Sequence, residues 1–362
     1  MMSDAISTPT TQRLPIAGEV VADPPPTSAL QSNQLIDRFG RVHRSLRVSV
    51  IDACNIRCQY CMPAEGVEFL PRHLLLDFEH IERFVRTAVG MGIRKVRLTG
   101  GEPLLRTNLD HLIARLRAIE GLQELALTTN GMLLDRQIDA LVAAGLQRIN
   151  ISLDTLSEPT FQKLTRRDGL SRVLSGIEAT QRFPQLQLKL NALVLRDVNL
   201  ADIYDLVDFA RQQACTLRFI EFMPLDSDRQ WSRSRMVSGE ELRGLLTQRF
   251  GPLLRCTDVD PSQPASDYQF AQGDGRIGFI DSVSKPFCAG CDRLRLTADG
   301  KLRNCLFGSE EWDVGQLLRQ EPFDMAELQS LLRRGTLAKH AAHGIASPDF
   351  QPPARAMYQI GG

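Results

Sequence analysis

The sequence predicts an α/β protein built on a partial, open (β/α)6 barrel of TIM-like type, with a C-terminal module closing its open side. Three observations lead there. Apolar patterns of strand and helix period alternate along residues 45–223, giving six strands separated by helix. Strands separated in this way pair in parallel through right-handed crossovers. Six units are too few for the eight of a closed barrel. After about residue 225 the alternation breaks into a strand-rich stretch with Gly and Asp, then helical segments.

The elements follow in order. Residues 1–34 hold Pro24, Pro25 and Pro26 among Ser, Thr, Ala and Gln without apolar periodicity, the composition of a disordered extension. SLRVSVI (45–51) alternates as a strand, and 77–92 carries helix-spaced apolar residues. Strand 96–98 precedes helix 109–119, and strand 124–129 precedes a helix at 134–145 that ends on Gly145. Strand 148–154, helix 173–183, strand 186–194, helix 201–213 and strand 216–223 complete the barrel region, 35–225. The C-terminal module, 226–362, holds a helix at 239–250, strands within 266–304 and helices at 313–319 and 324–334.

Composition narrows the function class. Basic and acidic side chains number 43 each, so no net positive charge favours nucleic acid or an anionic membrane surface. No apolar run is long enough to span a bilayer, and the first residues lack a secretory pattern. A cytoplasmic, reducing setting is expected, in which eight cysteines point to metal or redox chemistry rather than disulfides. Cys215 reads as a small buried apolar residue, and Cys256 has no partner close in sequence.

Six cysteines form two groups. Cys54, Cys58 and Cys61 follow the first strand in a C-x3-C-x2-C array. Three thiolates on a four-iron cluster leave one iron open to a small molecule. A structural zinc site is the alternative, but it asks for four ligands. Gly100-Gly101-Glu102-Pro103 follows the second strand, where adjacent glycines permit close backbone approach. Cys288, Cys291 and Cys305 form a C-x2-C-x13-C array, again with three ligands. A zinc ribbon with Cys256 as fourth ligand is the alternative there. Between these cysteines, Arg293 and Arg295 share one strand face, and planar guanidiniums suit phosphate oxygens. A solvated basic strand face is the plainer reading of that pair. His340 and His343 have helical metal-ligand spacing, but their polar, Ala-rich setting reads as a solvated face.

The two cysteine arrays, joined to RLTGGEP, LTTNG, RFIEFMP, CDRLRLTADGKLRNCL and Gly361-Gly362, resemble the molybdenum cofactor biosynthesis protein A family. These are the GTP 3′,8-cyclases of the radical S-adenosylmethionine (SAM) superfamily. The resemblance spans about residue 35 to 362. It implies two [4Fe-4S] clusters, one on Cys54, Cys58 and Cys61 and one on Cys288, Cys291 and Cys305. It implies SAM contacts at Tyr60, Gly101, Ser152 and Met223. It implies GTP contacts at Arg47, Arg97, Thr128, Lys189, Arg293, Leu294 and Arg295, with Arg218 a further candidate. Gly361 and Gly362 would thread into the active site with a catalytic role.

The implied reaction removes the ribose 3′ hydrogen of GTP through a deoxyadenosyl radical and closes a bond from C3′ to C8 of guanine. The product is a cyclised dihydroguanosine triphosphate. The implied partners are an electron donor protein and the downstream enzyme that makes cyclic pyranopterin monophosphate; a homodimer is compatible with the resemblance. Rival readings are a peptide-modifying radical enzyme, which usually carries more C-terminal cysteines, an Fe–S sensing module, and an RNA-modifying enzyme.

Overall fold

The computed structural model describes residues 33–260, 262–347 and 349–362. The disordered extension expected at 1–34 lies outside the described residues except for Asn33 and Gln34. Asn33 Nδ2 donates to the Gly90 carbonyl at 2.7 Å.

Among the described residues, twelve strands form one sheet. β1 (Ser45–Ser49), β2 (Lys95–Thr99), β3 (Glu124–Thr129), β4 (Arg148–Ser152), β5 (Gln187–Leu193) and β6 (Thr216–Ile220) run in chain order and pair in parallel. The C-terminal residues reach both edges of this array. β9 (Arg276–Ile280) pairs β6 in parallel, and β10 (Arg293–Leu296) pairs β1 in parallel. Antiparallel strands β8 (Ser266–Phe270) and β7 (Leu253–Arg255) extend one edge, and β11 (Lys301–Arg303) and β12 (Trp312–Asp313) the other. Among the described residues the sheet ends at β12 and β7, which do not pair with each other, so the barrel is open as the alternation predicted.

Period-2 alternation decides what each strand offers. Leu46, Val48, Val96, Leu98, Leu125, Leu127, Ile149, Ile151, Leu190, Leu217 and Phe219 are buried, each almost without exposure. They join one apolar core with Ile81, Phe84, Val85 and Ala88 of α1 (Phe78–Gly90). The intervening positions hold Arg47, Arg97, Thr128, Arg148, Asn150 and Lys189. A closed eight-fold barrel packs its interior with branched apolar side chains. Here the open barrel keeps polar residues inside.

Local signals set the helix ends. Asp77 caps α1 by accepting from the His80 amide at 2.8 Å. The helix expected at 134–145 is a 3-10 turn at Leu134–Arg136 followed by α3 (Ile138–Ala143), α2 being Leu109–Arg117. Two helices escaped the reading: the four-residue turn Met357–Ile360, and α4 (Glu158–Thr165), capped by Ser157 with Pro159 in its first turn. Both cues are helix starters, but the segment is short and weakly apolar.

Candidate active site

Two adjoining cavities occupy the barrel. The smaller, about 170 Å³, is lined by Cys54, Cys58, Cys61, Gly100, Gly101, Asn130 and Ser152 among others. The larger, about 330 Å³, is lined by Arg47, Arg97, Thr128, Arg148, Asn150, Ser152, Arg218, Met223, Arg293 and Arg295 among others. Tyr60, Cys61, Asp154 and Gly362 border both.

At the C-terminal strand ends, the first cysteine loop lies against the loop after β2. Gly101 N–H donates to the Ile51 carbonyl at 2.7 Å, and Glu102 N–H to the Ala53 carbonyl at 2.8 Å. A Cβ on Gly101 would lie 2.3 Å from the Asp52 oxygen and 2.4 Å from the Ala53 oxygen. The close approach that the glycine pair permits is therefore between two backbones. Gly101→Ala should lower iron incorporation on this loop by at least about twofold and destabilise the protein by about 1–3 kcal/mol. Iron and sulfide content with a melting curve measures it; wild-type values for both would refute it.

Glu102 pins the loop after β3. Its carboxylate accepts from Thr129 Oγ1 at 2.7 Å and from the Asn130 amide at 2.7 Å. Burial pushes its pKa up to about 7 against those hydrogen bonds. Asn130 Nδ2 then donates to Asn55 inside the cysteine loop at 2.7 Å. Asp154 accepts from Tyr60 Oη at 2.5 Å and from the Leu193 amide at 2.8 Å. Burial raises it to about 6. Burial also pushes Cys54 up to about 11 and Cys61 to about 12 as free thiols. Neutralising such buried thiolates is what a cationic iron centre does on binding.

The cations lie deep in the barrel. Arg47, Arg97 and Lys189 are the third residues of their strands, in the barrel interior. The strand register places Arg295, Arg47 and Arg97 side by side across three neighbouring strands. Burial, then the neighbouring guanidiniums, lower Arg47 well below its ordinary value and Arg97 to about 10. Neither forms an ion pair with a described carboxylate; Arg97 donates to Thr128 Oγ1 at 3.3 Å. Lys189 is on the inward face of β5 without lining the cavity, and burial and then Arg218 and Arg148 lower it to about 7.

Arg218 lines the cavity, but its charge is met by buried Asp267 at 3.1 Å and by Gln263 at 2.8 Å. Leu294 does not face the cavity. It is 0% exposed in the core, because its neighbours Arg293 and Arg295 take the inward positions of β10.

The second cysteine group lies beside β10. Arg41 Nη1 donates to the Cys288 carbonyl at 2.7 Å. Lys339 Nζ donates to the carbonyls of Arg293, at 3.0 Å, and Asn304. The three thiols influence one another electrostatically. Burial raises Cys291, but Arg293 and Lys339 more than offset this and bring it down to about 7. Phe287, Asp292, Arg293 and Leu306, neighbours of these cysteines, form part of the larger cavity wall. The Cys256 amide donates to the Asp267 carbonyl at 2.9 Å across the β7–β8 hairpin, away from the group. Cys215 is buried, as expected. His343 is not on a solvated face: it is half-buried, beyond the last helical turn of α9 (Met325–Leu337), with Nε2 3.0 Å from the Ser282 carbonyl. His340 is exposed.

Gly361 and Gly362 reach this centre. Arg295 Nη1 donates to the Gly361 carbonyl at 2.6 Å, and Thr99 Oγ1 to a Gly362 oxygen at 2.8 Å. Gly361 has φ +86°, and a Cβ there would lie 2.9 Å from Ser49 Cβ.

Three free thiols on the first cysteine loop are the donor set that a radical SAM iron–sulfur cluster takes. No three Cys, His, Asp or Glu side chains among the described residues stand close enough to share one metal ion. A four-iron cluster binds each thiolate to a separate iron and asks for a wider cradle. All eight cysteines are free thiols. Sequence reasoning missed Glu102, Asn130, Arg148, Asn150, Asp154 and Asn191. Arg148 and Asn150 share a strand face with Ser152, so the alternation of RINIS was the available signal.

Comparison with known proteins follows the same division. The Radical SAM superfamily model matches residues 48–210, and the Molybdenum Cofactor Synthesis C model matches 215–345. The chain is 48% identical to a GTP 3′,8-cyclase of Rhodopirellula baltica, over 93% of this chain and 94% of that protein. It is 41% identical to a GTP 3′,8-cyclase of Mycolicibacterium smegmatis over the whole of both chains. Among solved structures, Streptococcus suis SuiB bound to S-adenosylmethionine matches with a TM-score of 0.57 at 14% identity. That match covers 82% of this chain and 69% of the other and speaks for the fold alone. Identity of this order, sustained from the first cysteine loop through both glycines, makes the chain a member of the GTP 3′,8-cyclase family of the radical SAM superfamily.

Proposed function

We propose that this enzyme joins C3′ of the GTP ribose to C8 of its guanine, the first step of molybdenum cofactor biosynthesis. The observation that supports it most is the joined pair of cavities, with three free thiols at one end and an in-register row of guanidiniums inside. Radical SAM membership brings a [4Fe-4S] cluster and SAM. When bound, these supply the radical that removes a ribose hydrogen.

The chain's own residues bind, orient and shield. Cys54, Cys58 and Cys61 would hold the first cluster, which would supply the electron for SAM cleavage. Tyr60, Gly101, Ser152 and Met223 contact SAM, Tyr60 being fixed by Asp154. Cys288, Cys291 and Cys305 hold a second [4Fe-4S] cluster, set in the C-terminal module that follows the barrel. Arg47, Arg97, Lys189, Arg293 and Arg295 offer the positive charge that a triphosphate needs, and Thr128 supports Arg97. Gly361 and Gly362 hold Arg295 and Thr99 in place from above. An electron donor protein and a downstream enzyme that takes the cyclised nucleotide complete the setting, in a reducing cytoplasm. No helix among the described residues is long and apolar enough to cross a membrane.

The test is anaerobic reconstitution with iron and sulfide, then SAM, reductant and GTP. 5′-Deoxyadenosine that depends on GTP, formed with a cyclised GTP product, is the expected result. Deoxyadenosine formation indifferent to GTP would overturn the substrate.

A pH dependence accompanies this reading. The lowered pKa of Lys189 means that its cation is present below about pH 7 and lost above it. GTP binding to the free enzyme should weaken above pH 7 by up to about tenfold per pH unit. The GTP γ-phosphate also titrates near this range, so Lys189→Arg is the control and should flatten the fall. Identical pH profiles for the two proteins would remove Lys189 from the site.

A further inference from the structure

The cavity wall holds two side chains that the reading above leaves unused. The Asn150 amide is 6% exposed and makes no hydrogen bond to a described side chain or backbone group, its Oδ1 fully enclosed. Asn191 Oδ1 on the next strand is likewise enclosed and without a partner. Both residues line the larger cavity. An amide buried without partners costs about 1–3 kcal/mol. Two on adjacent strands facing one cavity mark a place where a ligand supplies the missing bonds.

Their level in the barrel identifies what that ligand offers. Along β4 the inward residues are Arg148, Asn150 and Ser152; along β5 they are Lys189, Asn191 and Leu193. Successive inward residues stand about 6.6 Å apart along a strand. The register aligns Asn150 with Thr128 and Lys189, and Asn191 with Ser152 and Arg218. The two amides therefore form a polar belt, flanked in register by Lys189 and by Arg218, whose charge Asp267 meets. Arg148 and Arg97 lie toward the N-terminal strand ends, and the cysteine loop lies at the C-terminal ends.

A nucleotide with its phosphates on the cations places its ribose next, one C–O bond from the α-phosphate. The ribose diol presents hydroxyls that both donate and accept, and an amide presents one donor end and one acceptor end. A carboxylate at this level would repel the phosphates and offer the hydroxyls an acceptor only.

We propose that Asn150 and Asn191 bind the 2′- and 3′-hydroxyls of the substrate ribose, orient its 3′ carbon toward the cysteine end, and select ribonucleotides over deoxyribonucleotides. This rests on GTP being the substrate. Both residues are binding residues for the sugar and take no proton.

Equilibrium binding of GTP, 2′-deoxyGTP and 3′-deoxyGTP to the reconstituted enzyme tests it. Wild type should bind GTP about 10- to 100-fold more tightly than at least one deoxy analogue. Asn150→Ala or Asn191→Ala should bring that ratio close to one by weakening GTP while leaving the analogue's affinity unchanged. Asn150→Asp keeps a hydroxyl acceptor in the same shape and should retain most of the ratio. An unchanged ratio in both alanine variants, or an equal loss for all three nucleotides, would overturn the ribose assignment while GTP binding by wild type stands. Wild-type enzyme with intact clusters that binds none of the three would overturn the substrate itself, and this inference with it.

Discussion

Deleting Gly361 and Gly362 should leave the sheet, the iron content and basal SAM cleavage in place and lower GTP cyclisation at least about 100-fold. The two residues contribute no side chain to the core, so the fold does not depend on them. They do carry two backbone oxygens that Arg295 and Thr99 bond at 2.6 and 2.8 Å. Without them, Arg295 keeps its charge beside Arg293 and Arg47 but loses its tether. A reacting group misplaced by about 1 Å is enough for a loss of this size. Gly361→Val tests the same contact in a full-length chain. The φ of +86° and the 2.9 Å approach to Ser49 Cβ both exclude a branched side chain. Deoxyadenosine and cyclised product, assayed side by side, give the answer. A truncated enzyme that cyclises GTP at the wild-type rate would refute the assignment of the two glycines to the active site.

Arg97→Ala should raise the Kd for GTP about 100-fold, equivalent to about 3 kcal/mol for a desolvated charged contact. The same substitution should not lower the melting temperature of the nucleotide-free protein. Arg97 stands in register with Arg47, and Arg47 with Arg295, on strands about 4.8 Å apart, and no described carboxylate pairs with Arg97 or Arg47. Removing one of three like charges relieves repulsion in the empty site while depriving a triphosphate of a partner. Isothermal titration and thermal melting, run on the same samples, separate these effects. A Kd within about threefold of wild type would take Arg97 out of the substrate site. A large fall in melting temperature would make it a structural residue instead. Arg218→Ala should behave differently, because it strands buried Asp267 and costs stability directly.

The two predictions rest on features of different legibility. The cysteine arrays and the glycine pair were readable because the chemistry is local. C-x3-C-x2-C brings three thiolates onto one loop whatever surrounds it, and Gly361-Gly362 is a distinctive sequence. The alternation of β1 through β6 was readable because each strand buries one face on helices and so shows a period of two. Arg148, Asn150 and Asn191 were harder to single out. In the chain they are ordinary polar residues between apolar ones, and polar positions on a strand commonly face water. Glu102 was quoted within its turn, but its role joins three loops distant in sequence, and no local pattern encodes that. His343 was misread because a helical spacing was assumed beyond the end of α9, where the chain turns and buries the ring near Ser282.

By itself, the sequence determined the two cysteine arrays, the parallel order of six strands and the family, because these depend on spacing and period along the chain. Only the tertiary structure decided that the C-terminal residues pair with both β1 and β6, extending the open barrel at its two edges. Only the structure decided that the arginines stand within the barrel rather than at its rim. The reason is register. Whether Arg295, Arg47 and Arg97 form one row or three scattered charges depends on which residue of each strand meets its neighbour. Pairing between residues 47 and 295 is a contact across most of the chain, fixed by the apolar faces of β1 and β10 packing together in the core.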